Sequence, residues 1–471
     1  MSLLCFDISS SGISASLFNF ELEVTRLVEG HWTVEADDEG AATLSLDAVL
    51  AQFKHVVEQL KIAGSPDPID AICIGSFMHN CVLLDSTNTP LTPVFTWLDS
   101  RGKNGMEYVR ARIGNQFHER TGCRFHPMFP VFKLAALHLS GSDLLSKAMR
   151  VVSVKSFLLH QLTGSWIEDH GMASASGLYN IMGGGWDAEI LTLIGLSQKK
   201  LPPVASPMEV AGRVTPKASV SYGLPADVPV VNGTGDGFLA NIGSECETRA
   251  KIAVTLGTSA VARQTLTRAV LNSSSGTFCY LADENRYLLG CAGSNGGNVL
   301  DWGRSIFGTL KDTDISVEPP IFIPLLHGER SPDWDPRLTG SWHGLMARHT
   351  AADLSRSILE GVVFNLAHFV EIVQETSGEK SSDMVLSGNG FLYPLAAPVL
   401  AAVTGMPVWM PAEPGLASLR GAAICCLRAF NMVVPQLNPR RVWALADAAI
   451  VKRYLEYKWF RTKGAGSFPS S

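Results

Sequence analysis

A strand, small-residue turn, strand unit occurs twice in this 471-residue chain, at residues 3–18 and again at 251–263. The first turn reads Asp7-Ile8-Ser9-Ser10-Ser11-Gly12 and the second Thr255-Leu256-Gly257-Thr258-Ser259. The repetition predicts two related halves. A tight turn of Ser, Thr and Gly leaves backbone N–H groups and hydroxyls free to face an anion, because no bulky side chain blocks the approach. Phosphate is the natural guest. Taken singly, such a turn is most often only a connection between strands. The pairing, with Asp7 in the first copy, favours the functional reading.

Length and composition agree with two large units. A chain this long with 46% hydrophobic residues exceeds one ordinary core and divides into roughly two to three domains. A formal net charge of -6 without a Lys/Arg block excludes an electrostatic footprint for nucleic acid or an anionic membrane. No apolar run is expected to reach spanning length, and Asp7 interrupts the first apolar stretch, so neither a membrane span nor a secretory signal is expected. The expectation is a cytoplasmic protein that handles small molecules. Nine scattered cysteines without a C-x-x-C pair read as reduced core residues, Cys425 and Cys426 included.

The elements place these motifs. Apolar residues at helical spacing predict a helix over 46–61, capped by Ser45 and stopped by Gly64. A strand over 69–75 leads into the loop Ser76-Phe77-Met78-His79-Asn80, at the end of a strand where α/β sites form. Residues 96–101, a helix from about 103, a Pro-rich turn at Pro127 and Pro130 and helices to 162 read as an insertion that builds a substrate pocket. A strand over 228–232 runs into Gly233-Thr234-Gly235-Asp236-Gly237, and a helix begins at 238. In the second half, Thr350 and Asp353 predict a capped amphipathic helix through about 376. A strand over 384–386 delivers Ser387-Gly388-Asn389-Gly390. A helix from about 393 with Pro394 in its first turn, a strand over 407–410 and a last apolar helix over 416–430 complete the chain.

The chain has no G-x-x-x-x-G-K-[ST] loop, no leading G-x-G-x-x-G, no H-E-x-x-H and no G-x-S-x-G elbow. Three polar loops, at 9–12, 257–259 and 387–390, and two carboxylates at strand ends remain. That set suits phosphoryl transfer, which needs a metal to bridge polyphosphate oxygens, donors to hold them, and a base for the attacking hydroxyl. Asp7 is the candidate metal carboxylate and Asp236 the candidate base. Asp236 reads equally as a helix N-cap, and Asp7 as a turn residue.

The segment Gly340-Ser341-Trp342-His343-Gly344-Leu345, seven further residues, then Asp353 through Glu360 carries a specific spacing. With Val254 to Ser259, Gly328-Glu329-Arg330 through Pro336, and Gly233 to Asn241, it resembles the FGGY carbohydrate kinases along nearly the whole chain. The resemblance implies an α/β, two-domain actin-like ATPase (ribonuclease H-like) fold with a catalytic cleft between domains at 1–243 and 244–471. It implies ATP and Mg²⁺, a sugar or polyol substrate and a homodimer. By carry-over Asp236 is the general base, Asp7 the metal carboxylate, and Ser10, Ser11, Gly257, Thr258 and Ser259 meet phosphate. Gly297, Asn298, Gly388, Asn389 and Gly390 fall to the nucleotide.

For the sugar, the resemblance points to Met78, His79, Trp97, Asp99, Arg101 and Asp169. Each has a plainer reading: His79 as a satisfied loop histidine, Trp97 as a core anchor, Asp169 as a turn former. The run Phe125-His126-Pro127-Met128 with Pro130 and Lys133, and the run Met172 to Asn180, are similar to gluconokinase stretches, so gluconate is the first choice and D-xylulose the alternative. Arg101 or Arg124 would meet the gluconate carboxylate. The first hairpin departs from the family pattern, with Ser9 for Gly, Ser10 for Thr and Ser14 for Lys. Ser9 adds a Cβ where the backbone could require an unusual angle, which keeps open a member of the fold that binds without transferring phosphate.

Overall fold

The protein is described by a computed structural model that covers residues 2–62, 68–308, 318–388 and 393–464. Both repeated hairpins form, and each seeds a mixed sheet. In the first, Ser2–Ile8 pairs antiparallel with Gly12–Phe18, which pairs antiparallel with Val24–His31. On its other side Ser2–Ile8 runs parallel to Ile69–Ser76, which runs parallel to Pro229–Val231. The second sheet repeats the plan: Lys251–Leu256 pairs antiparallel with Ala260–Leu266 and that with Arg286–Ala292, while Asp383–Ser387 and then Val408–Met410 run parallel on the opposite side. The chain is thus a duplicated α/β fold of the actin-like, ribonuclease H-like kind. Strands covered on both faces read as near-continuous apolar runs, as Leu3-Leu4-Cys5-Phe6 and Ile72-Cys73-Ile74 do.

Local signals place several helices well. Ser45 accepts the Ala48 N–H at the start of Leu46–Gln59, which ends at Leu60; the Gly64 expected as its stop lies outside the described residues. Thr350 and Asp353 exchange both bonds of a capping box ahead of Ala351–Ser377, and Gly378 closes that helix in the left-handed region. Contrary to the expectation, this one helix among the described residues is long and apolar enough to cross a membrane by length and composition, but 78% of its most apolar window is buried inside the protein. It is the central helix of the second core.

Two expectations need correction. Pro394 is not in the first turn of a helix, which begins at Ala396 behind the N-cap Leu395. The helix Ala417–Ala429 is not the last, because Ala448–Gly464 follows it. Its charges disguise it as a solvated face. Arg453 is in fact buried against Glu360 and Asp447, Arg461 pairs with Asp333, and Tyr457 donates to Asn365.

The helices Asp236–Gly243 and Ala417–Ala429 cross where the two halves meet. At the crossing, a Cβ on Gly243 would strike the Ala417 carbonyl, and one on Gly421 would strike the Leu239 carbonyl. Glycine at both positions is what allows the backbones to approach this closely. The later helix packs on the first sheet, with Leu419, Ala422, Cys425 and Cys426 against Leu3, Cys5, Ala71 and Cys73. All nine cysteines are buried and unbridged, as a reduced core requires. Replacing Gly421 by Val is expected to force the helices apart and cost about 1–3 kcal/mol, read as a lower urea midpoint with an unchanged m-value.

Candidate active site

A cavity of about 290 Å³ lies between the halves. The first half contributes Ser9, Ser10, Met78, His79, Trp97 and Asp236; the second contributes Gly257, Ser259, Arg263, Tyr280, Arg330 and Trp334. A larger cavity, about 410 Å³, opens beside His343, Trp459 and Phe460. It gathers none of the residues singled out for chemistry, so the interdomain cavity is the candidate site.

Asp236 is the first residue of its helix, and the N-cap is Gly235 rather than Asp236. Its Oδ1 accepts the Gly237 N–H at 2.7 Å, which fixes the carboxylate and leaves Oδ2 for other work. Burial pushes its pKa up, and the Gly237 N–H and the charge of Arg263 hold it back. Asp7 is the penultimate residue of the first strand, Ser2–Ile8. Its pKa rises to about 7, chiefly by burial and then by the charge of Asp236, while the Ser418 hydroxyl opposes the rise. Its buried Oδ1 has no hydrogen-bond partner among the described residues. That orphaned oxygen fits Mg²⁺, which binds through one or two carboxylates with the remaining positions left to water and phosphate oxygens. A dedicated cage is not there: no group of three or more His, Cys, Asp or Glu suited to a metal occurs among the described residues.

The first turn is closed by its own serines. The Ser9 N–H and hydroxyl both donate to the Gly12 carbonyl, at 2.8 and 3.0 Å, and Ser9 Oγ accepts the Ser11 N–H at 3.2 Å. Ser9 is not among the non-glycine residues with positive φ, so the extra Cβ brings no backbone strain. Ser10 faces the cavity, and Ser11 is exposed at the tip. At the second turn a Cβ on Gly257 would meet nothing nearer than the Ser259 carbonyl at 3.9 Å, so the space above it is open; Thr258 is exposed.

Gly297 and Asn298 pack against the second turn. Their N–H groups donate to the Gly257 and Thr258 carbonyls at 2.7 and 3.1 Å, and Asn298 Oδ1 accepts from Gly296 and Val299. They brace the turn from behind. Gly388, at φ 81, follows the strand Asp383–Ser387 and donates to the Pro414 carbonyl, beside the turn. Asn389 and Gly390 lie outside the described residues.

At one end of the cavity stands His79. Its Nδ1 lies 2.7 Å from the Ala175 carbonyl, which can only accept, so Nδ1 carries the proton and Nε2 is left as an acceptor. Burial, with Arg330, Lys133 and His126 nearby, pushes its pKa down to about 3, and the ring stays neutral. Met78 and Trp97 supply apolar faces. The other three expected sugar contacts are not in the cavity. Asp99 is buried, holds Arg101 through Nε and Nη2 and accepts the Ala42 N–H; Arg101 leans on Phe95 at 5.3 Å. Asp169 caps the helix His170–Ser174, accepts the Thr234 hydroxyl and pairs with Lys155 at 3.0 Å. It supports the loop before Asp236 instead of touching its front. Arg124 does not line the cavity; its Nη2 donates to the Ser273 carbonyl, and its buried Nη1 has no partner among the described residues.

Sequence reasoning missed the cations that do line the cavity, Arg263 and Arg330. Arg330 lies in the Gly328–Pro336 stretch that was singled out without a role, and its guanidinium sits 5.2 Å over the Trp97 ring. Arg263 carried no signal, since it is one alternation within a strand. Tyr280 and Trp334 were likewise hidden among core-type aromatics.

The N-terminal domain model of the FGGY family of carbohydrate kinases matches residues 2–243, and the C-terminal domain model matches residues 252–430. The chain belongs to this family: it is a sugar kinase that uses ATP as phosphoryl donor. A gluconokinase of Bacillus subtilis is 28% identical over 385 residues, 77% of this chain and 75% of that protein. A xylulose kinase of Escherichia coli is 26% identical over 412 residues, 85% of this chain and 84% of the other. The crystal structure of a gluconate kinase from Lactobacillus acidophilus superposes with a TM-score of 0.91 at 24% identity, covering 99% of both chains, and a xylulose kinase from the same organism does so with 0.90. Such structural likeness carries the fold, not the choice of sugar.

The raised pKa of Asp7 gives a stability prediction. The native state holds that proton more tightly than the unfolded chain, so this group's contribution to stability is lost as pH rises from about 4 through about 7. Asp7→Asn is expected to remove that part of the slope and to raise the ligand-free melting temperature above neutrality, as read by thermal unfolding at several pH values.

Proposed function

We propose that this protein is a gluconokinase that transfers the γ-phosphoryl group of ATP to a hydroxyl of gluconate, with Asp236 as general base. One observation carries the reading: a desolvated carboxylate shares a single cavity with the serine-bearing turns of both halves. The sugar hydroxyl gives its proton to Asp236 while its oxygen attacks the γ-phosphorus. The bond from that phosphorus to the β–γ bridging oxygen breaks, and ADP leaves. An upward-shifted carboxylate is the better base for this task, and Gly237 keeps it oriented. The backbone and hydroxyls of both turns hold the phosphates. Asp7 would hold Mg²⁺, which when bound neutralises charge on the β- and γ-phosphate oxygens.

For the sugar, neutral His79 accepts a hydroxyl proton through Nε2, and Met78 and Trp97 cover the carbons. Gluconate over xylulose is favoured by Arg330, a cation beside Trp97 at the sugar end, where a ketose has no negative charge to offer. It takes the role expected of Arg101 or Arg124. The similarity to the Bacillus subtilis gluconokinase points the same way. The binding-only alternative loses one of its motives, because Ser9 occupies the first turn without strain.

A coupled ADP-release assay over gluconate, D-xylulose, D-ribulose and glycerol tests this. Gluconate is expected to give the highest kcat/KM, and Asp236→Asn to lower kcat by at least ~10²-fold. Arg330→Met is expected to raise KM for gluconate by ~10–100-fold, the loss of one charge-assisted contact. No turnover with any of these sugars in folded protein would overturn the proposal, and faster turnover of D-xylulose would transfer it to that substrate.

A further inference from the structure

We propose that Arg263 supplies the positive charge that meets the phosphoryl group in flight, an inference that rests on the cavity being a phosphoryl-transfer site. The two turns that face the phosphates carry no cation of their own: neither residues 7–14 nor 255–262 contain Lys or Arg. They are joined in the cleft by one carboxylate, Asp236, with the buried Asp7 close enough to feel its charge. A polyphosphate entering such a place meets donors but no opposing charge, and a desolvated site makes that imbalance costly.

Arg263 is placed to correct it. It lies on the second strand of the second hairpin, Ala260–Leu266, only 5% exposed, and lines the same cavity as Ser9, Ser10 and Asp236. Nη2 donates to Thr255 Oγ1 at 2.6 Å, and that hydroxyl is 3.0 Å from Ser387 Oγ, so the guanidinium is tied to both strands that lead to the nucleotide loops. Nη1 rests against the first turn of the base's helix, where a Cβ on Gly237 would lie 2.6 Å from it. Nε is buried and has no hydrogen-bond partner among the described residues. An arginine with one nitrogen anchored and another waiting is a preformed donor. Asp236 acts on it through space, since Asp236 Oδ1 is engaged by Gly237.

Arg330 does not compete for this role. Its guanidinium stacks over Trp97 at the sugar end, and its Nη2 is engaged by the Gly293 carbonyl. In the reaction Arg263 makes no covalent bond. As the sugar oxygen bonds to the γ-phosphorus and the bridging bond breaks, negative charge spreads over the equatorial oxygens, and Arg263 donates to them from Nη1.

The experiment compares wild type, Arg263→Met and Arg263→Lys by steady-state kinetics, and Arg263→Ala with added ethylguanidinium. Arg263→Met is expected to lower kcat by ~10²–10³-fold with KM for the sugar within ~3-fold, and Arg263→Lys to recover part of the loss. Ethylguanidinium is expected to raise kcat of Arg263→Ala by at least ~10-fold, and ADP with aluminium fluoride to bind the Met variant far more weakly than wild type while ADP alone binds equally. Wild-type kcat in either neutral variant would overturn the assignment and leave the kinase reading standing. So would a loss that neither lysine nor ethylguanidinium repairs and that tracks a fall in melting temperature, which marks a structural role. Failure of the wild-type enzyme to turn over any sugar defeats the kinase reading instead.

Discussion

Two carboxylates held out of water, side by side, are the constraint around which this molecule is arranged. Asp7 comes from the end of a strand and Asp236 from the start of a helix, and neither forms a salt bridge among the described residues. Burial lifts both pKa values, and the charge of Asp236 lifts that of Asp7 further. Such an arrangement costs folding free energy and is tolerated because the surrounding structure is strongly determined. The cost has a chemical use. A base whose pKa is raised takes a proton more readily, and an orphaned carboxylate oxygen is ready for a cation.

The determination comes largely from behind the site. Helices from the two halves cross at Gly243 and Gly421, with backbone almost on backbone, and the later helix delivers Ser418 to Asp7. On the other side, Lys155 lies fully buried between Glu168 and Asp169, and Asp169 grips Thr234 two residues before Asp236. A buried ion pair of this sort adds little net stability, but breaking it leaves an unpaired charge, so it holds the loop in one place. Asp169 therefore supports the cavity from outside its lining.

Much of this was legible in the residues. The doubled hairpin, the capping box at Thr350 and the alternation of strands announced a duplicated α/β chain, because turns, caps and periodicity are local. Asp236, Met78, His79 and Trp97, all of which line the cavity, were legible because they stand at strand ends or on polar loops. Asp99 and Arg101 were misread for an instructive reason: two residues apart on a turn, they satisfy each other, and sequence shows the pair but not the direction it faces. Arg453 and Arg461 went unnoticed for the reverse reason, since their buried partners lie far away along the chain.

From the sequence alone came the repeat, the polar character of the turns and the carboxylate at position 236, all written within a few neighbouring residues. Which cations turn inward was decided only in three dimensions. Arg101 and Arg124 point to other partners, while Arg263 and Arg330 enter the cavity from the second half, because packing of one half against the other sets which side of a strand or loop meets the cleft. Charge balance in a closed site is a sum over groups distant in sequence, and it takes shape only when the halves come together.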